Sequence, residues 1–307
     1  MTIGRFGLRR GDYDFPPFRP PSEADSLLLR VTRGCPWNRC AFCSMYKTIK
    51  FEIRDLEEIL SDIQLAKDLY GERVKTVFIG DSNSLIVKTN QLIQILNSIH
   101  SSFPHVQRVT SYARAKTLAK KPIEDLEKIF KAGLTRLHVG LETGDRELLK
   151  EIEKGATPEE MIEAGRKAKR AGFQYSLYVL LGIGGEENWE RHARGTAEVL
   201  NQIDPYFIRV RTFIPQPHSP LYDAMVESRF QLASLETILK ETKLLLQELD
   251  VSSQFLSDHI SNLLPLHGKL PEEKGRMVQM IEDALAGLKE NPVLREEMEM
   301  KRHLTNL

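Results

Sequence analysis

Six short apolar runs of β type recur along this chain, each followed by a stretch with helical spacing, and that alternation restricts the possible folds more than any other feature. The runs are residues 27–31, 74–79, 106–112, 137–141, 175–181 and 207–213. Short and largely apolar, they have the character of parallel strands buried on both faces. The helical stretches carry Leu56, Ile59, Leu60, Ile63, then Leu92, Ile95, Leu96, Ile99, then Ile123, Leu126, Ile129, Phe130. Three more follow, marked by Met161, Gly165 and Ala168, by Trp189, His192, Ala193, Thr196 and Leu200, and by Leu235, Ile238, Leu239 and Thr242. Gly71, Gly133 and Gly172 stand where helices should end. Strict alternation predicts an α/β fold with a parallel sheet and right-handed crossovers, either an open doubly wound sheet or a barrel.

Both architectures bind ligands at the carboxyl ends of the strands. Those ends read Arg33-Gly34-Cys35, Gly80-Asp81-Ser82-Asn83, Ser111-Tyr112-Ala113-Arg114, Glu142-Thr143-Gly144, Gly182-Ile183-Gly184-Gly185 and Arg211-Thr212. Polar residues and glycine gather there repeatedly.

The chain has 307 residues, enough for one large α/β domain with a modest extension. Forty-three basic side chains balance forty-three acidic ones. No global field collects polyanions, so nucleic acid is disfavoured as the main partner. The longest strongly apolar stretch, residues 175–183, is far shorter than the ~20 residues of a bilayer crossing, which argues against a membrane partner. Residues 1–15 lack an apolar secretory core, and the expected location is the cytoplasm. Pro16, Pro17, Pro20 and Pro21 predict an extended lead-in over residues 1–24. The barrel would occupy 25–220, and 221–307 would form a mainly helical extension capping it.

Cys35, Cys40 and Cys43 are the chain's only cysteines, in a C-x4-C-x2-C run just after the first strand. An odd, tight cluster points to a metal site in a reducing compartment rather than to a disulfide framework. A four-iron cluster normally takes four thiolates, so three would leave one iron open to a non-protein ligand. A zinc site completed by another residue type, or three unconnected buried thiols, are the alternatives; zinc pairs usually recur along a chain, and no second pair does.

With Phe42 just before the last cysteine and six strand-helix units following, the sequence resembles the radical S-adenosylmethionine (radical SAM) superfamily. Its usual signature is C-x3-C-x-aromatic-C after the first strand of a partial (β/α)6 barrel. Here four residues separate the first two cysteines. The resemblance is closest in feel to the branch containing oxygen-independent coproporphyrinogen oxidase. It implies one 4Fe-4S cluster on Cys35, Cys40 and Cys43, with S-adenosylmethionine bound to the open iron and cleaved to methionine and a 5′-deoxyadenosyl radical that takes hydrogen from substrate. It also implies an oxygen-sensitive enzyme with a flavodoxin- or ferredoxin-type electron donor.

Site roles follow by the same resemblance. Gly80, Asp81 and Ser82 correspond to the stretch whose carbonyls receive the methionine ammonium, although Asp81 and Ser82 also suit a plain turn cap. Glu142 corresponds to the ribose-binding position, and Lys154 to a basic residue that meets the methionine carboxylate or else a solvated lysine. Gly182 opens the glycine-rich adenine-side segment. From the residues themselves, Tyr178 lines the pocket or packs in the core. Arg114 and Arg211 end strands and can fork onto a carboxylate of cofactor or substrate. His259, beside Asp258, is a substrate-side candidate for moving protons or a packed cap. Met277 and Met280 read as helical core. No cysteine remains for a second cluster, so sulfur insertion and methylthiolation lose support and a small-molecule substrate is expected. A non-catalytic iron-sulfur electron carrier and a zinc-stabilised binding protein are the competing readings.

Overall fold

The computed structural model describes residues 18–302, so the lead-in expected over 1–24 lies mostly outside the described residues. The chain divides into two compact units, and the division falls inside strands, between Val139 and Gly140 and between Tyr175 and Ser176.

Among the described residues the first unit takes in 18–38, 46–139 and 166–175. It contains strand β1 (Leu27–Arg30), a two-residue antiparallel pair β2 (Thr32–Arg33) and β3 (Glu52–Ile53), and helix α1 (Leu56–Tyr70). Next come β4 (Thr76–Gly80), α2 (Thr89–Ser102), β5 (Arg108–Ala113), α3 (Ala115–Lys120), α4 (Ile123–Lys131) and most of β6 (Leu134–Glu142). The strands run parallel in the order β1-β4-β5-β6, with Leu29 opposite Ile79 and Ile79 opposite Ser111. Leu27, Leu29, Val77, Phe78, Ile79 and Val109 are almost fully buried, as the unbroken apolar runs require. Helix α1 starts at Asp55, whose carboxylate accepts the Glu57 N–H, and presents Ile59, Ile63 and Ala66 to the core. Gly133 ends α4 at φ +106, and a β-carbon there would collide with the His100 ring, so the position requires glycine.

At the base of this unit Glu23 is buried with no exposure. Its carboxylate lies 2.8 Å from Ser26 Oγ, 3.2 Å from an Arg108 nitrogen and 3.4 Å from His138 Nε2. Arg136 is 3.9 Å away and also grips Gln174. Burial alone would raise the carboxyl pKa, but hydrogen bonds from His138 and Ser26 and the Arg108 charge outweigh it and hold the value at about 2.

Among the described residues the second unit takes in 39–45, 140–165 and 176–302. It contains α5 (Arg146–Glu151), most of α6 (Pro158–Arg170) and of β7 (Gln174–Leu181), α7 (Trp189–Ile203), β8 (Phe207–Thr212), α8 (Pro220–Val226) and α9 (Leu235–Glu248). The tail adds β9 (Gln254–Leu256), β10 (His267–Lys269), α10 (Lys274–Glu290) and α11 (Pro292–Lys301). Strands β7, β8 and β9 are parallel, and β10 closes the edge antiparallel to β9. All six expected strands are present, with ends shifted by a few residues. The two tail strands are additions to the mainly helical expectation: they are three residues each, too short to show a period of two. The expected final helix is α10, with Met277, Ile281, Ala284 and Leu288 buried.

Candidate active site

The cysteine loop begins at Gly34, and its entry is fixed by the end of β4. Gly34 has φ +76, a backbone conformation glycine adopts without strain. Its N–H donates to Asp81 Oδ2 at 2.9 Å, and its carbonyl accepts from Ser82 Oγ at 2.8 Å. Asp81 is itself held by Arg30, whose Nε lies 3.3 Å from Oδ2 with both side chains 4% exposed. The Asp81 N–H donates to Thr32 Oγ1, and the Gly80 carbonyl accepts from Val31 N–H at 2.8 Å. The side chains of Asp81 and Ser82 therefore clamp the residue preceding Cys35. Farther along, the Asn38 N–H donates to Cys35 Sγ at 3.4 Å, and the Arg114 guanidinium sits 5.2 Å from the centroid of Trp37. Arg114 begins α3, and its N–H donates to Asn83 Oδ1. So Arg114 supports the loop by stacking.

The other two cysteines are fixed within the second unit. Cys43 N–H donates to the Cys40 carbonyl at 3.3 Å, closing a turn. Inside that turn the Ala41 N–H donates to the Ile152 carbonyl, and the Ala41 carbonyl accepts from Leu221 N–H, both at 2.9 Å. Phe42 packs on the buried cluster of Leu148, Ile152, Ile183 and Phe213. The aromatic before the last cysteine is thus an apolar anchor for the turn. All three cysteines are half-buried.

Glu142 and Lys154 meet. Lys154 Nζ donates to Glu142 Oε1 at 2.7 Å, and the ammonium lies 5.7 Å from the Phe42 ring centroid. Lys154 sits in the loop after α5 rather than within a helix. Glu142 holds φ +63, an uncommon conformation for a residue with a side chain. Its carboxylate lies across Gly140, where a β-carbon would stand 1.9 Å from Oε1 and 2.8 Å from Nζ. Glycine at 140 is the condition for the pair.

Two glycine-bearing strand ends share one buried support. The Gly182 N–H donates to Glu241 Oε1 at 2.9 Å, and His192 Nε2 is 3.3 Å from the same oxygen. His192 Nδ1 is 3.4 Å from Thr196 Oγ1, which accepts the Gly144 N–H at 2.9 Å. His192, Thr196 and Glu241 are all essentially unexposed. Gly182 and Gly185, at φ +79 and +65, make the turn that presents this segment.

On β7 and β8, residues at alternate positions face the same way. Leu177, Val179, Leu181, Ile208 and Val210 are buried on one face. Tyr178, Leu180 and Arg211 are only half-buried on the other, together with Arg209, which pairs in register with Tyr178. Arg209 is bound to Asp258 at 2.7 Å. Arg211 donates to His259 Nε2 at 2.7 Å, and His259 Nδ1 lies 2.7 Å from Ser261 Oγ. Burial, then the Arg211 charge, lower the His259 pKa to about 4 against a smaller opposing effect of Asp258, so the imidazole is neutral at pH 7.

Sequence reasoning singled out Asp81, Ser82, Arg114, Phe42, Glu142, Lys154 and Gly182, but missed the supports Arg30, Trp37, Ala41 and Glu241. Glu241 had a legible signal, a carboxylate inside the apolar stripe of α9 between Ile238 and Thr242. The Ala41 backbone bonds had none.

Residues 29–194 match the radical SAM superfamily. The heme chaperone HemW of Buchnera aphidicola subsp. Acyrthosiphon pisum (strain APS) is 21% identical over 275 residues, covering 81% of this chain and 72% of that protein. Among solved structures, methylornithine synthase (PylB) shares the fold at TM-score 0.52 and 18% identity, over 89% of this chain and 84% of that one. Coproporphyrinogen III oxidase (HemN) from Escherichia coli does so at TM-score 0.54 and 15% identity, over 73% and 52%. The family match begins in β1, takes in the cysteine loop and spans more than half of the sequence; the chain belongs to the radical SAM superfamily, whose cofactors are a 4Fe-4S cluster and S-adenosylmethionine.

Proposed function

We propose that this protein is an enzyme that cleaves S-adenosylmethionine reductively and uses the resulting radical to abstract hydrogen from a small-molecule substrate. The observation that carries the reading is the family match over residues 29–194, which takes in the C-x4-C-x2-C run of Cys35, Cys40 and Cys43 in a loop whose entry at Gly34 and turn at residues 40–43 are each held by hydrogen bonds. Three thiolates suit three corners of a four-iron cube. Gly140 fits the cofactor chemistry as well, since its missing side chain is what lets Glu142 and Lys154 stand together.

When bound, the cluster supplies the electron that splits the sulfonium and so generates the 5′-deoxyadenosyl radical. Cys35, Cys40 and Cys43 would ligate three irons. Lys154 would hold the methionine carboxylate, and Glu142 would accept from the ribose hydroxyls, a carboxylate being able to accept from two at once. Gly80, Asp81 and Ser82 would offer backbone carbonyls at the ammonium. Gly182 would let the backbone approach the adenine. Arg114 acts through Trp37 as a positioning residue. A flavodoxin- or ferredoxin-type protein would deliver the electron. Residues 25–220 would form the catalytic barrel, with 221–307 as its cap.

Anaerobic reconstitution followed by dithionite and S-adenosylmethionine tests the reading. The protein should bind about four irons per chain and release 5′-deoxyadenosine, and Cys40→Ala should abolish the product. Product formation unchanged by Cys40→Ala would overturn it, as would a reconstituted cluster with no product.

A further inference from the structure

One face of β7 and β8 carries the half-buried Tyr178, Leu180 and Arg211, with Arg209 in register beside Tyr178 and Leu180 packed on the cluster of Leu148, Ile152, Ile183 and Phe213. Four charged or polar groups converge at the β8 end, and their charges do not cancel. Asp258 is bound to Arg209 at 2.7 Å. Arg211 makes no ion pair among the described residues; its partner is the His259 imidazole, at 2.7 Å. Arginine only donates, so His259 Nε2 accepts, while on the other side of the ring Nδ1 lies 2.7 Å from Ser261 Oγ and 3.2 Å from the Ser261 backbone nitrogen. The imidazole fixes where the guanidinium lies without neutralising it.

We propose that Arg211 is the seat of a substrate carboxylate, received by its remaining N–H donors while the hydrocarbon part of the substrate rests against Leu180 and Tyr178. This rests on the reading that the chain acts on a small molecule. A guanidinium forks onto a carboxylate or a phosphate alike. The local charge decides between them. Two arginines against one aspartate leave a single positive charge, which matches a carboxylate and would leave a phosphate monoester, with roughly two negative charges, about half compensated. His259, held neutral, is a positioning residue for Arg211.

The probe is benzoate, with benzamide as its neutral isostere and phenyl phosphate as the dianion, each titrated into reconstituted protein and followed by ligand-observed NMR. Benzoate should bind at least about tenfold more tightly than benzamide and more tightly than phenyl phosphate, and Arg211→Gln should weaken benzoate by about tenfold or more, the scale of one charge-assisted hydrogen bond. Arg191→Gln, a change on the exposed side of α7, should leave benzoate binding unaltered. Benzoate binding equal to benzamide, or unchanged in Arg211→Gln, overturns the proposal. So does preference for phenyl phosphate. Should Arg211→Gln not fold, the wild-type protein still decides: saturating benzoate should raise the His259 pKa by cancelling the neighbouring charge, and an imidazole titration that does not move counts against the site. Release of 5′-deoxyadenosine by the wild-type protein, measured separately, tests the radical chemistry and is independent of these binding results.

Discussion

Asp81 is asked to do two things at once, to clamp Gly34 and to neutralise the buried Arg30, and either loss should be visible. Asp81→Ala removes the carboxylate that meets an arginine of 4% exposure, and breaking a buried ion pair in this way typically costs about 3–5 kcal/mol. We expect that loss in denaturant unfolding and, separately, less iron and sulfide per chain after reconstitution, because the entry to the cysteine loop is no longer fixed. Gly140→Ala should be the sharper probe of the cofactor. Its β-carbon would displace the Glu142–Lys154 pair, so affinity for S-adenosylmethionine, read by calorimetry, should fall by at least about tenfold. His259 offers a spectroscopic check. Removing the guanidinium charge in Arg211→Met should raise its imidazole pKa from about 4, but leave it short of 6.5, since burial is the larger cause. NMR of the labelled ring measures it.

At the scale of elements, the six strand-helix units were legible because fully buried parallel strands leave a plain signature, an apolar run bounded by glycine and polar residues. Their ends were less so. Residues 137–141 read as the fourth strand, whereas β6 starts at Leu134, since Thr135 and Arg136 interrupt the apolar run although Arg136 is tied to Gln174. Strands β9 and β10 were invisible for want of length. The chemical residues at strand ends were legible by type, and their partners mostly were not: pairings such as Asp81 with Gly34 or Glu241 with Gly182 join positions 47 and 59 residues apart, and no local pattern records them. The support behind Gly144 and Gly182 makes its own prediction. Glu241→Ala removes the acceptor for the Gly182 N–H and should increase amide hydrogen exchange at residues 182–185 while the exchange of α10 is unaltered.

For the whole molecule, acid should act through Glu23. Its folded pKa, about 2, lies below the ordinary carboxylate value of 4.5, so the stability it contributes is complete above 4.5 and is lost as pH falls toward 2. Glu23→Gln should flatten that part of the stability-pH profile measured by thermal unfolding. Removing residues 221–307 should prevent soluble expression, because it strips β9 from β8 and α9 from α7 and exposes their apolar faces. Among the described residues no helix is long and apolar enough to cross a membrane.

The partners of Arg209 and Arg211 carry a consequence for how such a chain can diversify. The arginines belong to β8, a sheet strand that must keep its register, but Asp258 and His259 follow β9 in the tail. A change of His259 to glutamate would cancel the remaining charge, and a change of Asp258 to asparagine would double it, with no strand residue altered. The tail is then a tuning dial for β8. Related chains could share β8 and the cysteine loop yet select acidic, neutral or doubly anionic substrates according to two residues that lie outside both.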